Sequence, residues 1–151
     1  MFNKKRITIM RKFLICTLCV LSVLFTACSE QSTHEKALQH LNELSTELMT
    51  CTTQEKYDVV YEKVVAIKND PMFSALAGET NEQKLEIVAE AAKLIQEALA
   101  VKAILFAMPE SIEPTEKDIK ALVKNCIDRK LNIMVPPYSE IASMIREYYK
   151  L

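Results

Sequence analysis

Residues 80–108 read TNEQKLEIVAEAAKLIQEALAVKAILFAM, and this stretch decides the fold. Thr80 with Gln83 three residues on is a capping box, in which hydroxyl and side-chain amide satisfy backbone N–H groups left open at a helix start. Pro109 forbids continuation, so one long helix is predicted between them. In its first half Leu85, Val88, Ala92, Ile95 and Leu99 recur at three- and four-residue spacing, which predicts one apolar face. Glu82, Glu86, Glu90, Lys93 and Glu97 are expected on the opposite, water-facing side. The second half, ALAVKAILFAM, carries only Lys102 as a charge. A helix apolar nearly all round is buried all round, and this half is expected to be the central rod of a bundle.

Outward from that rod the same signals repeat. Toward the N-terminus, Ser32-Thr33-His34-Glu35 is another capping box, followed by Ala37, Leu38, Leu41, Leu44, Leu48 and Met49 at helical spacing. Thr52-Thr53-Gln54-Glu55 announces a second helix, with Tyr57, Val60, Tyr61, Val64 and Ile67 as its apolar face. The short break between the two predicts an antiparallel hairpin. Asp70-Pro71 opens a short helical turn, and Gly78 is expected to close it in the left-handed conformation. Toward the C-terminus, Pro114 or Thr115 starts a helix with the stripe Ile119, Leu122, Val123, Cys126 and Ile127. Pro136-Pro137 then sets a last helix bearing Ile141, Met144, Ile145 and Tyr148.

Composition agrees with helices alone. The 151 residues contain one glycine and no tryptophan, and half are apolar. Hairpin turns and phosphate-cradling loops need glycine where φ must be positive, so a chain with only Gly78 points away from both. The expected class is all-α, an irregular helical bundle of about five helices over residues 32–151. Of the 19 basic residues five precede Cys28 and no acid does, leaving 14 against 20 acids, a net of −6 for the remainder. Such a body is repelled by nucleic acid, and no basic stripe with interleaved aromatics offsets it.

Residues 13–27, FLICTLCVLSVLFTA, carry no charge and follow the cationic Arg11-Lys12 pair. Fifteen helical residues rise about 22 Å, short of the roughly 30 Å hydrocarbon core. A charged start, an apolar run of this length and small residues at its end are the pattern of a secretory signal peptide. The tetrad Phe25-Thr26-Ala27-Cys28 resembles the lipobox of bacterial lipoproteins, with Phe25 where leucine is usual and Leu24 beside it. That resemblance covers only the first 28 or so residues. It implies cleavage before Cys28, lipidation of its thiol and an acylated new N-terminus. Residues 1–27 are then a signal peptide and 28–31 a lipidated tether. Met10 begins a complete signal of this type, so Met1 and Met10 are both candidate starts. Ser29 rather than aspartate after Cys28 is compatible, in this class, with onward transport to the outer membrane of a diderm bacterium. Cys16 and Cys19 have C-x-x-C spacing, but no polar neighbour inside the apolar run favours a thiolate.

Candidate sites beyond Cys28 are sparse. Cys51 and Cys126 either form a disulfide, which outside the cytosol would close a loop of about 75 residues and stabilise by roughly 4 kcal/mol, or remain separate thiols, Cys126 buried on its stripe. His40 with Glu43 and Glu47 has the donor types for zinc, yet reads better as a solvated helix face, and no metal or cofactor is expected. The acids of the long helix likewise read as water-facing rather than as a catalytic carboxylate pair. Tyr149 and the Pro136-Pro137-Tyr138 corner lie off the apolar stripes, so Tyr138 and Tyr149 are candidate partner contacts. No nucleophile elbow, zinc-protease helix, phosphate loop or dinucleotide fingerprint occurs. The expected function is a non-catalytic, lipid-anchored envelope protein that binds another protein. The alternatives are a bundle that holds a small apolar ligand, and an enzyme.

Overall fold

The computed structural model describes residues 31–151; the expected signal segment with Cys16 and Cys19, the lipobox and Cys28 lie outside the described residues. Helix α1 (Thr33–Met49) begins on Ser32, whose Oγ accepts from the Glu35 N–H while the Glu35 carboxylate accepts from the Ser32 N–H at 3.1 Å. Helix α2 (Gln54–Ala66) starts one residue later than the sequence signal, on Thr53, whose hydroxyl accepts from the Lys56 N–H; with lysine at that position only this half of a box forms. A 3₁₀ turn, Ile67–Asn69, leads to the short α3 (Pro71–Ala75), capped by Asp70 with proline in its first turn.

Helix α4 (Asn81–Ala107) runs between the expected limits, with Thr80 and Gln83 closing the box and Met108 ending it before Pro109. Helix α5 (Glu116–Asp128) is capped by Thr115 and Asp118, and α6 (Ser139–Tyr149) follows the Pro136–Pro137 corner. The result is all-helical, with α1, α2, α4, α5 and α6 packed into a bundle and α4 touching all four others. Ala100, Val101, Ala103 and Ile104 are fully buried at its centre, but this half is not buried all round as expected, because Lys102 and the 65% exposed Phe106 face water. The stripes of α1, α5 and α6 face the same core as expected, led by Leu41, Leu48, Ile119, Leu122, Ile141 and Ile145. Among the described residues no helix is long and apolar enough to cross a membrane.

Side-chain pairs fix how the helices lie. Lys63 of α2 reaches Glu47 of α1 at 2.6 Å while Asp70, just beyond α2, lies 4.0 Å from His40, earlier in α1, so the two run antiparallel. His34 and Ser45 of α1 meet Glu86 and Glu97 of α4 in the same order, so α1 and α4 run parallel. Helix α2 therefore runs antiparallel to α4.

Gly78 does not take the left-handed conformation expected of it; it ends a 3₁₀ turn, Leu76–Gly78, that returns to extended backbone at Glu79. Positive φ falls instead on Lys130, Tyr138 and Lys150, at 53°, 55° and 57°. At Lys130 the reason is a C-terminal cap: its N–H reaches the Ile127 carbonyl while the Leu131 N–H reaches that of Cys126, satisfying carbonyls that α5 leaves open.

Candidate functional site

The feature that stands apart on this bundle is an apolar groove between α2 and α4. On α2, Tyr57, Val60 and Val64 point into the core, while Tyr61 and Val65, one step around the helix, remain 40% and 42% exposed. The rings of Tyr57 and Tyr61 stack at 5.5 Å, so the buried tyrosine holds the exposed one as a wall of the groove. The opposite wall is α4. Together they enclose a cavity of about 340 Å³ lined by Tyr61, Val65, Lys68, Ala91, Ile95 and Leu99 among others. Tyr61 and Lys68 bring the polar side-chain atoms of that lining, and Lys68 sits at the end where α2 finishes.

The groove exists because the first half of α4 buries a different face from the one its apolar spacing predicts. Ile87, Leu94, Ala98 and Val101 form the buried line, whereas Leu85, Val88 and Ile95 are 69%, 63% and 55% exposed. One close approach and one hydrogen bond to α1 lie along this rotation. His34 Nε2 lies 2.9 Å from Glu86 Oε2, and Ser45 Oγ donates to Glu97 Oε2 at 2.5 Å. Both acids thus face α1, and the stripe is turned away from it. Glu97, expected to face water, is the one buried charged residue among the described positions, at 7% exposure. No interval within the segment distinguishes an acid that faces a neighbouring helix from one that faces water.

The expected site residues fare differently. Cys51 and Cys126 are both free and buried, so the disulfide is not formed. Each thiol has its own neighbour: Cys51 donates to the Glu47 carbonyl at the end of α1, and Cys126 lies 4.0 Å from Met144 Sδ beneath α6. Burial pushes the Cys126 thiol up to about 11, and raises Cys51 as well, which makes both poor nucleophiles near neutral pH.

Tyr138 is buried, edge-on against the Phe106 ring at 5.4 Å, and therefore is not the exposed contact the corner suggested. Its neighbours Phe106, Met134 and Val135 are the exposed apolar groups there, at 65%, 65% and 60%. Tyr149 is half-buried, with its hydroxyl near Asp118 but outside hydrogen-bond geometry. Tyr148 takes that carboxylate instead, donating at 2.8 Å. With the Thr115 backbone and hydroxyl donating as well, Asp118 is held below the usual carboxylate range. This contact ties the start of α5 to the end of α6 and belongs to the fold.

His40 lies 4.0 Å from Asp70, and no cluster of three metal-ligating side chains occurs among the described residues. The groove was missed because its walls come from helices whose apolar stripes both looked like core. Chemically it can hold an apolar body against a floor of alanine and leucine, with one cation at its end. No protein-family model matches this chain, and comparison with curated proteins and with solved structures gives no match.

Proposed function

We propose that this chain is a non-catalytic binding module of a bacterial cell envelope, held to a membrane by acyl chains on Cys28. Support for the address is the charged start, the apolar run and the Phe25-Thr26-Ala27-Cys28 tetrad. The proposed location is the outer membrane of a diderm bacterium. Each buried CH₂ contributes about 0.8 kcal/mol, so two or three chains hold an acidic body that headgroups would otherwise repel. Support for binding rests on one observation, the α2–α4 face, where Tyr61, Val65, Leu85, Val88 and Ile95 all stay open to water. Folded monomers seldom leave so many large apolar groups contiguous unless something covers them. Away from that face, the net −6 beyond Cys28 suits a protein partner with a positive patch, and such association weakens as salt rises.

The experiment is metabolic labelling with a clickable fatty acid, followed by partner capture from native envelope. The unaltered chain is expected to carry the label and the Cys28→Ala form to lose it; an unlabelled chain ends the anchored reading. Capture that is indifferent to salt ends the acidic-surface reading. A second reading has its own observation, the 340 Å³ cavity, whose size and apolar lining suit a small apolar ligand. Native mass spectrometry of purified protein checks it, because a bound ligand adds a discrete mass.

A further inference from the structure

We infer that the α2–α4 face seats a second copy of this chain, the two α4 helices packing antiparallel about a two-fold axis near Glu90. This rests on the binding reading above and names the occupant of that face. The stripe Leu85, Val88, Ala92, Ile95, Leu99 steps by three, four, three and four residues, the repeat of a seam that covers itself with another helix. It spans about 21 Å of helix axis. Leu85 and Val88 lie outside the cavity, so a small ligand seated there leaves the two most exposed members of the stripe bare. A helix laid along the seam covers all five.

The flanks of the seam say which helix. With Leu85, Ala92 and Leu99 in one core position and Val88 and Ile95 in the other, the residues bordering the middle of the seam outside the monomer core are Ala89, Ala91 and Gln96. Alanines let two backbones approach closely, and none of the three sets like charges against each other in a self-contact. That matters for a body of net −6, which repels a copy of itself over most of its surface. Glu86 faces α1 through His34, and Glu97 is buried against Ser45, so two acids of this helix half are turned off the seam.

Charge at the ends of the seam sets its direction. Exposed Glu82 stands at one end and exposed Lys102 at the other. In a parallel pair each meets its own kind. In the antiparallel pair centred near Glu90, Glu82 of one copy comes within about one helical turn of Lys102 of the other, twice. The same alignment sets Leu85 against Ile95 and Val88 against Ala92 across the axis, a large side chain facing a smaller one in the second layer. Tyr61 and Val65 then pack on the flank of the incoming helix. Shared anchorage through Cys28 would hold copies at one surface and raise their effective concentration.

The test is cysteine cross-linking of the full chain in its native envelope. Val88→Cys with Ala92→Cys in one chain is expected to give, on mild oxidation, a non-reducing band at twice the chain mass. The unaltered chain is the control for its own thiols, and each single variant is expected to cross-link far less, since each position faces the other across the axis. Adding Ile95→Glu should lower the dimer band about tenfold, because a carboxylate is then pressed unpaired against Leu85 of the other copy. Ile95 is exposed, so circular dichroism is expected to show the variant still folded. No band above the control, single variants that cross-link as well as the double, or adducts only at some other mass would overturn the inference. Fatty-acid labelling is read separately: an unlabelled chain that still cross-links removes the anchor and leaves the dimer.

Discussion

Along α4, Ala100, Val101, Ala103 and Ile104 are sealed in the core, whereas Leu85, Val88 and Ile95, equally apolar and on the same unbroken helix, lie between 55% and 69% exposed. The difference is not in side-chain chemistry. In the second half no rotation brings out a polar face, since Lys102 is the one charge there, and only Lys102 and Phe106 stay exposed while Ala100, Val101, Ala103 and Ile104 are buried. In the first half two faces compete. One carries leucine, valine and isoleucine; the other carries Ile87 and Leu94 among acids that find partners on α1. The second wins because Ile87, Leu94 and Ala98 are continuous with the buried line below, while His34 and Ser45 receive the acids. A helix enters the core as one rigid body, so the fully buried half fixes the rotation of the half that had a choice.

That comparison breaks most easily at its buried end. Ile104→Ala removes a side chain with no exposure, and by transfer and cavity terms together should cost about 2–5 kcal/mol in urea unfolding. A smaller effect is expected at the junction. Ser45→Ala strips Glu97 of its hydroxyl donor inside the protein, and leaving that carboxylate unpartnered should cost about 1–3 kcal/mol. If Ser45→Ala is neutral, the contact does not hold the rotation and the account of the exposed stripe fails. Thr80→Ala, which removes the hydroxyl that caps the exposed half, should cost roughly 1 kcal/mol.

The smallest change in fold stability belongs to Ile95→Ala, expected within about 0.5 kcal/mol of the parent monomer, since a surface side chain has few contacts to lose. The ratio between Ile104→Ala and Ile95→Ala is the sharpest measure, because both delete similar atoms from one helix. A pair of similar costs would mean that the stripe is covered within the monomer after all.

Much of this fold was legible residue by residue. The capping boxes at Ser32 and Thr80 marked helix starts at the positions observed, because a cap is a contact between residues three apart and the chain itself brings them together; the Thr52 signal fell one residue early. Pro109 and Pro136-Pro137 bounded helices for an equally local reason, the missing N–H and fixed φ of proline. The stripes of α1, α5 and α6 pointed inward because each helix offers a single apolar face. The groove was not legible. Its walls need the rotation of α4 against α1, along which Ser45 meets Glu97 across 52 positions of sequence. Tyr138 fails for the same reason, since Phe106, which covers it, comes from another helix. Cys51 and Cys126 show that two thiols in one core need not be neighbours.

By itself, then, the order of amino acids determined that this chain is helical, where most of its helices begin and stop, and which half of the longest one supplies the centre of the core. Those are matters of backbone donors, proline rings and the polarity of adjacent turns, all settled over a few residues. Tertiary packing alone decided which of two apolar faces on residues 81–99 went inside, because that choice compares contacts with three other helices at once. The face left outside is the one that gives the molecule something to bind with.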